Sequence, residues 1–327
     1  MGRWFRRRAS AEIPTDMFDV AKIGEQARQA HKLASIYHKG QDLAWDGREV
    51  LAELIEKHGG ITIPDDKRQA LSRIYAIILW GELAAWRISA QLADSLIDLE
   101  AKMAATAQAH DEARHFYVMH DYLEQLGEVP TTLEKPTRIV LDMVLGTPSL
   151  LQKLSGMQLM VETFALTIFQ VTRRANVEPV LSELLRFFER DEARHVGLGV
   201  QYMPTLMKES SRLELLQSFV FQMRILGWTL KGLKNHERDF ETLGIPVRDV
   251  IDVARNKLFT ATEMMWNEMA ENRPWARKQA EAILDATVEV IFPQPELAHS
   301  LLERLRTARK VYAAGGVEAD QVELAGA

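Results

Sequence analysis

Asp111-Glu112-Ala113-Arg114-His115 is the stretch that decides the fold, because it returns 80 residues later as Asp191-Glu192-Ala193-Arg194-His195. Glu82 stands thirty residues before the first Glu, and Glu162 thirty before the second. Two parts of the chain therefore repeat one set of groups, a Glu followed by Glu-x-x-His. On a helix, residues three apart share a face, so Glu112 and His115 point the same way, as do Glu192 and His195. Thirty residues at about 1.5 Å of rise each suffice to run up half a helix, turn and return to the same height. Glu82 can then meet Glu112 at one level of a bundle, and Glu162 can meet Glu192. A short repeat alone can arise by chance; equal spacing of the upstream acids makes chance a much poorer account.

Working outward, the flanking segments read as helices. From Lys67 to about Leu99, apolar residues recur at Ile74, Ile78, Leu79, Ala85 and Trp86, with Glu82 in their stripe. A second helix covers about 101–126 and stops before Gly127 and Pro130. A short piece at 136–145 crosses over. Thr147 as cap and Pro148 at the first helical position open a third helix, which carries Glu162 and runs to about Asn176. Pro179 opens a fourth, which carries Glu192 and His195 and ends near Pro204. Upstream, 17–57 reads as helical with a break at Gly40, and Gly59-Gly60 with Pro64 marks a loop. Downstream, helices are expected at 209–240, 247–272, 275–291 and 296–313. Their Phe219, Met223, Trp228, Met264, Met265 and Trp266 are expected in the core or a subunit interface. No strand pattern appears. The expectation is an all-α chain forming one domain over 1–327. It comprises a flexible basic arm (1–15), a four-helix core (67–208), additional helices (209–313) and a flexible tail (314–327).

Composition narrows the function. The sequence holds 40 Lys and Arg against 46 Asp and Glu, a net charge of −6, which gives nucleic acid no general attraction. There is no cysteine, so disulfides, iron–sulfur clusters and a thiolate nucleophile are excluded, and a reducing cytoplasm is the expected location. The basic start with Trp4 and Phe5 is interrupted by Glu12, Asp16 and Asp19, and Arg6 stands where a myristoylation signal wants Ser or Thr. No run of about 18 apolar residues announces a membrane span.

The repeated groups are chemically demanding. Glu82 sits among Leu79, Leu83 and Trp86, and Glu162 among Leu159, Met160, Phe164 and Leu166. Four ionised carboxylates facing one another in an apolar bundle cost several kcal/mol each unless neutralised. Two divalent cations cancel four negative charges, and carboxylates with neutral imidazoles suit iron or manganese. Four helices presenting Glu, Glu-x-x-His, Glu, Glu-x-x-His inward form a dinuclear site. The competing reading pairs Glu112 and Glu192 with arginines on a solvated face, and the apolar flanks argue against it.

This pattern resembles the ferritin-like di-iron carboxylate superfamily. The Asp-Glu-x-Arg-His form looks most like its bacterial monooxygenase and ribonucleotide reductase small-subunit branch. The resemblance covers about residues 67–208. It implies a ferritin-like bundle in which Glu82, Glu112 and His115 hold one iron and Glu162, Glu192 and His195 the other, with one or both inner Glu residues bridging. It further implies that Asp191 hydrogen-bonds His115 and Asp111 hydrogen-bonds His195. Two irons are expected, with Mn/Fe as the alternative, together with dioxygen, a small organic substrate, an external electron donor (a reductase or ferredoxin) and a homodimer. Hydroxylation, desaturation and N-oxidation all suit such a centre. Ala85, Trp86, Phe116, Met119, Ala165, Leu166, Phe169 and Phe188, one turn from the ligands, are expected to form an apolar substrate wall.

Departures from that branch narrow the resemblance further. Met119 stands where the reductase keeps its radical tyrosine, and Leu166 where hydroxylases keep a threonine. Phe188 replaces the extra His of arylamine N-oxygenases. Ala84 and Met157 replace the Val–Tyr pair that the reductase-like ligand-binding oxidases cross-link. No named subfamily fits. Besides an oxygen-activating enzyme, the pattern admits a ferroxidase or iron-storage protein, a reductase-like metal oxidase, or an interaction protein with a vestigial site.

Overall fold

In chain order the helices are α1 (Val20–Gln29), α2 (Lys32–Asp42), α3 (Gly47–His58), α4 (Asp65–Ser95), α5 (Leu99–Leu126), α6 (Lys135–Gly146), α7 (Leu150–Ala175), α8 (Pro179–Glu209), α9 (Arg212–Asn235), α10 (Glu237–Thr242), α11 (Val247–Glu268), α12 (Pro274–Ile291) and α13 (Leu301–Ala314). The computed structural model describes residues 19–29, 32–268, 274–294, 296 and 300–316; the expected arm and residues 317–327 of the expected tail lie outside them. No strand occurs among the described residues.

The centre is built from two long pairs, α4 against α5 and α7 against α8, packed into a four-helix bundle. Both links are short and cleanly signalled. Asn176, at φ 46°, ends α7 in the left-handed region, and Glu178 then caps α8 by accepting from Val180 N and Leu181 N, with Pro179 in the first turn. The helices α2 and α3 lie against α5 and α8 on one side; α6 and α9 lie against α4 and α7 on another.

Several details differ from the sequence expectation. Gly40 does not break a helix. It lies buried inside α2, where a Cβ would come 3.4 Å from the Ala107 Cβ, so the glycine serves close packing on α5. The break comes at Leu43–Trp45, and Asp46 caps α3 by accepting from Arg48 N and Glu49 N. Ser149, not Thr147, caps α7, because its side chain accepts from Gln152 N, while the Thr147 hydroxyl is turned to the Gln152 side chain. The fourth helix passes through Pro204 to Glu209; the ring is buried, and a helix this long and well packed absorbs the one hydrogen bond lost. Inside α7, residues Ser155–Val161 form a π-helical turn immediately before Glu162.

Among the described residues one helix, Leu150–Ala175, is long and apolar enough to cross a membrane, yet 78% of its most apolar window is buried within the protein, as the central helix of a bundle would be. Two apolar clusters cap the bundle interior. One holds Leu79, Val118, Ile168 and Phe188; the other holds Ala85, Ala105, Leu159 and Leu198. On each central helix the repeated acids fall between a residue of the first cluster and a residue of the second, so the polar groups form a layer across the middle.

Candidate metal centre

The layer gathers all six repeated groups. Glu112, Glu192 and His115 are completely buried, and Glu82, Glu162 and His195 are exposed by 4% or less. His115 Nδ1 lies 3.1 Å from Glu192 Oε1, 3.4 Å from Glu82 Oε2 and 3.6 Å from Glu112 Oε2. His195 Nδ1 lies 2.9 Å from Glu192 Oε2, 3.0 Å from Glu112 Oε1 and 4.0 Å from Glu162 Oε1. Two groups result, Glu82–Glu112–His115–Glu192 and Glu112–Glu162–Glu192–His195, each with one ligand atom per residue inside a 4.8 Å span. Glu112 and Glu192 belong to both. Atoms bound at about 2.0–2.2 Å to one cation stand roughly 3–3.5 Å apart, so groups this close could hold a pair of ions.

Three buried atoms test the fit. Glu112 Oε2, Glu192 Oε1 and His115 Nδ1 have no hydrogen-bond partner, although the nitrogen lies within 3.6 Å of both oxygens. Buried polar atoms left unpaired are costly and rare. These three converge on one space without the geometry to satisfy one another, and a cation shared between them satisfies all three.

Electrostatics carry the same message. Burial pushes the Glu82 and Glu162 carboxyls well above the usual range, and the neighbouring carboxylates push the same way. Burial also opposes the charge on Glu112, but His195 and His115 outweigh it and hold that group well below the usual range. Burial would lower both imidazoles; the acids around them, led by Asp191 at His115 and Glu112 at His195, raise both instead. Without cations, protons collect where positive charge is needed.

The far ring nitrogens are held by the motif's own aspartates, each from the other half. His115 Nε2 lies 3.3 Å from Asp191 Oδ2, and His195 Nε2 lies 3.4 Å from Asp111 Oδ2. Both aspartates lie at or near zero exposure, and the imidazoles, joined at Asp191 by Arg194 and the Trp45 N–H, lower both carboxyls against their burial. Sequence reasoning missed what completes this arrangement. Arg114 Nη2 donates to Asp111 at 2.5 Å and Asp191 at 2.8 Å, while Arg194 Nη2 donates to both at 2.8 Å. Trp45, in the link between α2 and α3, donates its indole N–H to Asp191 Oδ2 at 2.7 Å. The repeated arginine was the available signal; Trp45, 146 residues from its partner, gave none. Gln108 and Gln158 were also missed. The Gln108 amide donates to Glu162 Oε1 at 2.6 Å and to Glu112 Oε1 at 3.2 Å, and Gln158 donates to Gln108 Oε1 at 3.0 Å.

The expected wall divides. Ala85 and Ala165 line a cavity of about 60 Å³ that includes Glu82 and Glu162 and runs between α4, α6, α7 and α9. Met119, Phe169 and Phe188 are solid core; Phe188 stacks on His115 at 4.3 Å, and Phe169 meets Phe188 edge-on at 5.4 Å. Phe116 and Leu166 are half-buried and lie off the cavity. Trp86 is 41% exposed and no wall residue. The buried stripe of α4 runs Ile78–Glu82–Ala85–Ser89–Leu92 in alternating steps of four and three, which leaves position 86 outside it. Met160 also lines a larger cavity of about 360 Å³ with Phe219, Met223, Met265 and Trp266; Met265 is buried in the second apolar cluster and Trp266 packs against it, whereas Phe219 is largely exposed.

No protein-family model matches the sequence, and no curated protein matches it. Solved structures do. A variant of an R2-like ligand-binding oxidase with a reconstituted Mn/Fe cofactor superposes with a TM-score of 0.53 at 14% identity, over 74% of this chain and 95% of that one. A second Mn/Fe variant gives 0.54 over 72% and 94%, also at 14% identity. A variant with an Fe/Fe cofactor gives 0.52 at 14% identity over 73% and 93%. The fold is the ferritin-like one. At this identity the likeness is one of fold, and the ferritin-like bundle is what places the six groups on four neighbouring helices.

Proposed function

We propose that this chain is a non-haem dimetal oxidase or oxygenase that activates dioxygen and acts on an apolar organic substrate. The observation that carries the reading is the pair of buried ligand groups sharing Glu112 and Glu192, with three partnerless atoms turned into the space between them. Glu82 and His115 would hold one ion and Glu162 and His195 the other. Iron at both positions fits the donor set, as does manganese with iron, the combinations named for the structural neighbours. When bound and reduced, such a pair supplies the electrons and the oxidising power for dioxygen chemistry.

The chain's own residues then have distinct tasks. Asp111 and Asp191 hold the imidazoles by their far nitrogens, which leaves Nδ1 of each toward the carboxylates, where it would be free to take an ion. Arg114 and Arg194 keep those aspartates charged and in place. The bundle excludes water, and the cavity beside Glu82 and Glu162 admits an apolar group, since its other lining is chiefly aliphatic. In an oxygenation one oxygen atom enters the substrate and the other leaves as water, with two electrons and two protons from outside. A chain without cysteine has no thiolate-ligated carrier, so the donor is a separate reductase or ferredoxin. Ala84 and Met157, both buried, stand where the ligand-binding oxidases are expected to pair Val with Tyr, so no such cross-link forms here. We place the protein in the cytoplasm as a homodimer.

The test is direct. Full-length protein loaded anaerobically with ferrous iron is mixed with dioxygen, and oxygen uptake and the absorption spectrum are followed. Uptake with a transient absorbing species is expected; iron-loaded protein that neither consumes oxygen nor changes spectrum contradicts the reading.

A further inference from the structure

The ligand set of the centre is two-fold symmetric, but what surrounds it is not. We propose, resting on the dimetal reading above, that Gln108 and Gln158 form an amide brace that positions Glu162, and that this brace makes the two metal positions unequal. The ion held by Glu162 and His195 is then bound more firmly than the ion held by Glu82 and His115.

The brace is built from completely or almost completely buried groups. Gln108, one turn before Glu112 on α5, spends both amide hydrogens on carboxylates, at 2.6 Å to Glu162 and 3.2 Å to Glu112. An amide could sit either way round, with its oxygen or its NH₂ toward the acids. The two carboxylates accept and so call for the NH₂ of Gln108, whose oxygen is left to accept from the Gln158 NH₂ at 3.0 Å. Gln158 belongs to the π-helical turn of α7, one turn before Glu162. The opposing residue on α8 is Gly199, where a Cβ would stand 2.5 Å from the Gln158 Cβ, so only glycine leaves room for this amide.

The 80-residue repeat shows what the other half has in the same places. Gln108 corresponds to Phe188, Gln158 to Ile78 and Gly199 to Met119. All three counterparts belong to one apolar cluster. Where one half has two amides and a gap made for them, the other has packed hydrocarbon. Among the described residues no amide or hydroxyl donates to Glu82; its near polar neighbour is His115 Nδ1 at 3.4 Å, a nitrogen that an ion would claim. Glu82 therefore faces the cavity unbraced, while Glu162, which borders the same cavity, is pinned by one oxygen. A carboxylate already held in its binding rotamer loses less freedom on taking an ion, and such supporting hydrogen bonds contribute about 10–100-fold to metal affinity.

The experiment uses the full chain loaded anaerobically with two equivalents of ferrous iron and mixed with an excess of a coloured ferrous chelator. Wild type is expected to release iron in two phases of equal amplitude, with rates about 10–100-fold apart. In Gln108→Met, which keeps the length of the side chain, the slow phase accelerates toward the fast one and the fast phase stays where it was. Gln158→Leu moves the slow phase in the same direction by less, and it provides an independent reading should Gln108→Met fold poorly. A general loosening of the bundle would speed both phases together, so selective acceleration separates positioning from mere structure. Two ions released in a single phase, or variants that speed both phases or neither, overturn the brace while leaving the dimetal reading intact. A wild-type chain that takes up fewer than two ions overturns both.

Discussion

The side of the centre that faces α2 and α3 and the side that faces α6 and α9 are made of opposite materials. On the first, Asp111, Asp191, Arg114 and Arg194 pair in every combination, Trp45 closes the set, and Arg114 lies over the Trp45 ring at 4.8 Å. On the second, aliphatic side chains surround a cavity that reaches Glu82 and Glu162. The charged side has little slack, because both aspartates and both arginines are buried and each carboxylate meets both guanidinium groups. The apolar side has room and few directional contacts. A centre that must hold its ligands still and also admit a reactant needs both, and the bundle separates them across one layer of carboxylates.

The largest effect should come from the layer itself. Glu112→Ala or Glu192→Ala removes a ligand from both groups at once, so iron content should fall from two ions per chain to essentially none; a variant that keeps two ions breaks the account of shared ligands. Next comes the charged side. Asp191→Leu leaves Asp111 as one buried carboxylate facing both Arg114 and Arg194 and takes the acceptor from the His115 ring and the Trp45 indole, which should cost about 3–5 kcal/mol in chemical unfolding. Loss within the range of an ordinary surface change would mean that the lattice is not needed.

How much of this was readable beforehand follows from periodicity. The bundle and the convergence of six groups came from one repeat and one spacing, because helices translate sequence interval into height and face. The opposed aspartates were implied by the resemblance. The π-helical turn, the two glutamines and Trp45 were not readable: each works through a partner distant in sequence, and a lone polar residue in an apolar run carries no period. Trp86 failed for a related reason. A stripe that steps four, three, four, three drifts around the helix, and the strict four-residue step from Glu82 leads to the surface.

The apolar side offers a smaller and more selective effect. Ala165→Phe fills the cavity beside Glu162. It should leave two ions in place, change stability by about 1–3 kcal/mol and lower substrate-dependent oxygen uptake about 10–100-fold. Equal loss of iron and turnover would erase the distinction between the two sides.

The smallest effect concerns the metal-free chain. Glu82, Glu162, His115 and His195 all have raised pKa values in the folded protein. Groups raised on folding stabilise the protein at low pH, and that contribution is lost as pH climbs through their folded values. The melting temperature of apo protein should therefore fall as pH rises above 6.5, the ordinary imidazole value, by about 2–4 °C for each kcal/mol lost. Metal-loaded protein, with ions in place of those protons, should show a flatter profile by the same thermal scan.

The most direct measurement is anomalous diffraction at the iron edge from crystals of the iron-loaded chain. Two peaks are predicted, one beside Glu82 and His115 and one beside Glu162 and His195, with Glu112 and Glu192 between them. A single peak, or iron bound away from this layer, would contradict the central claim.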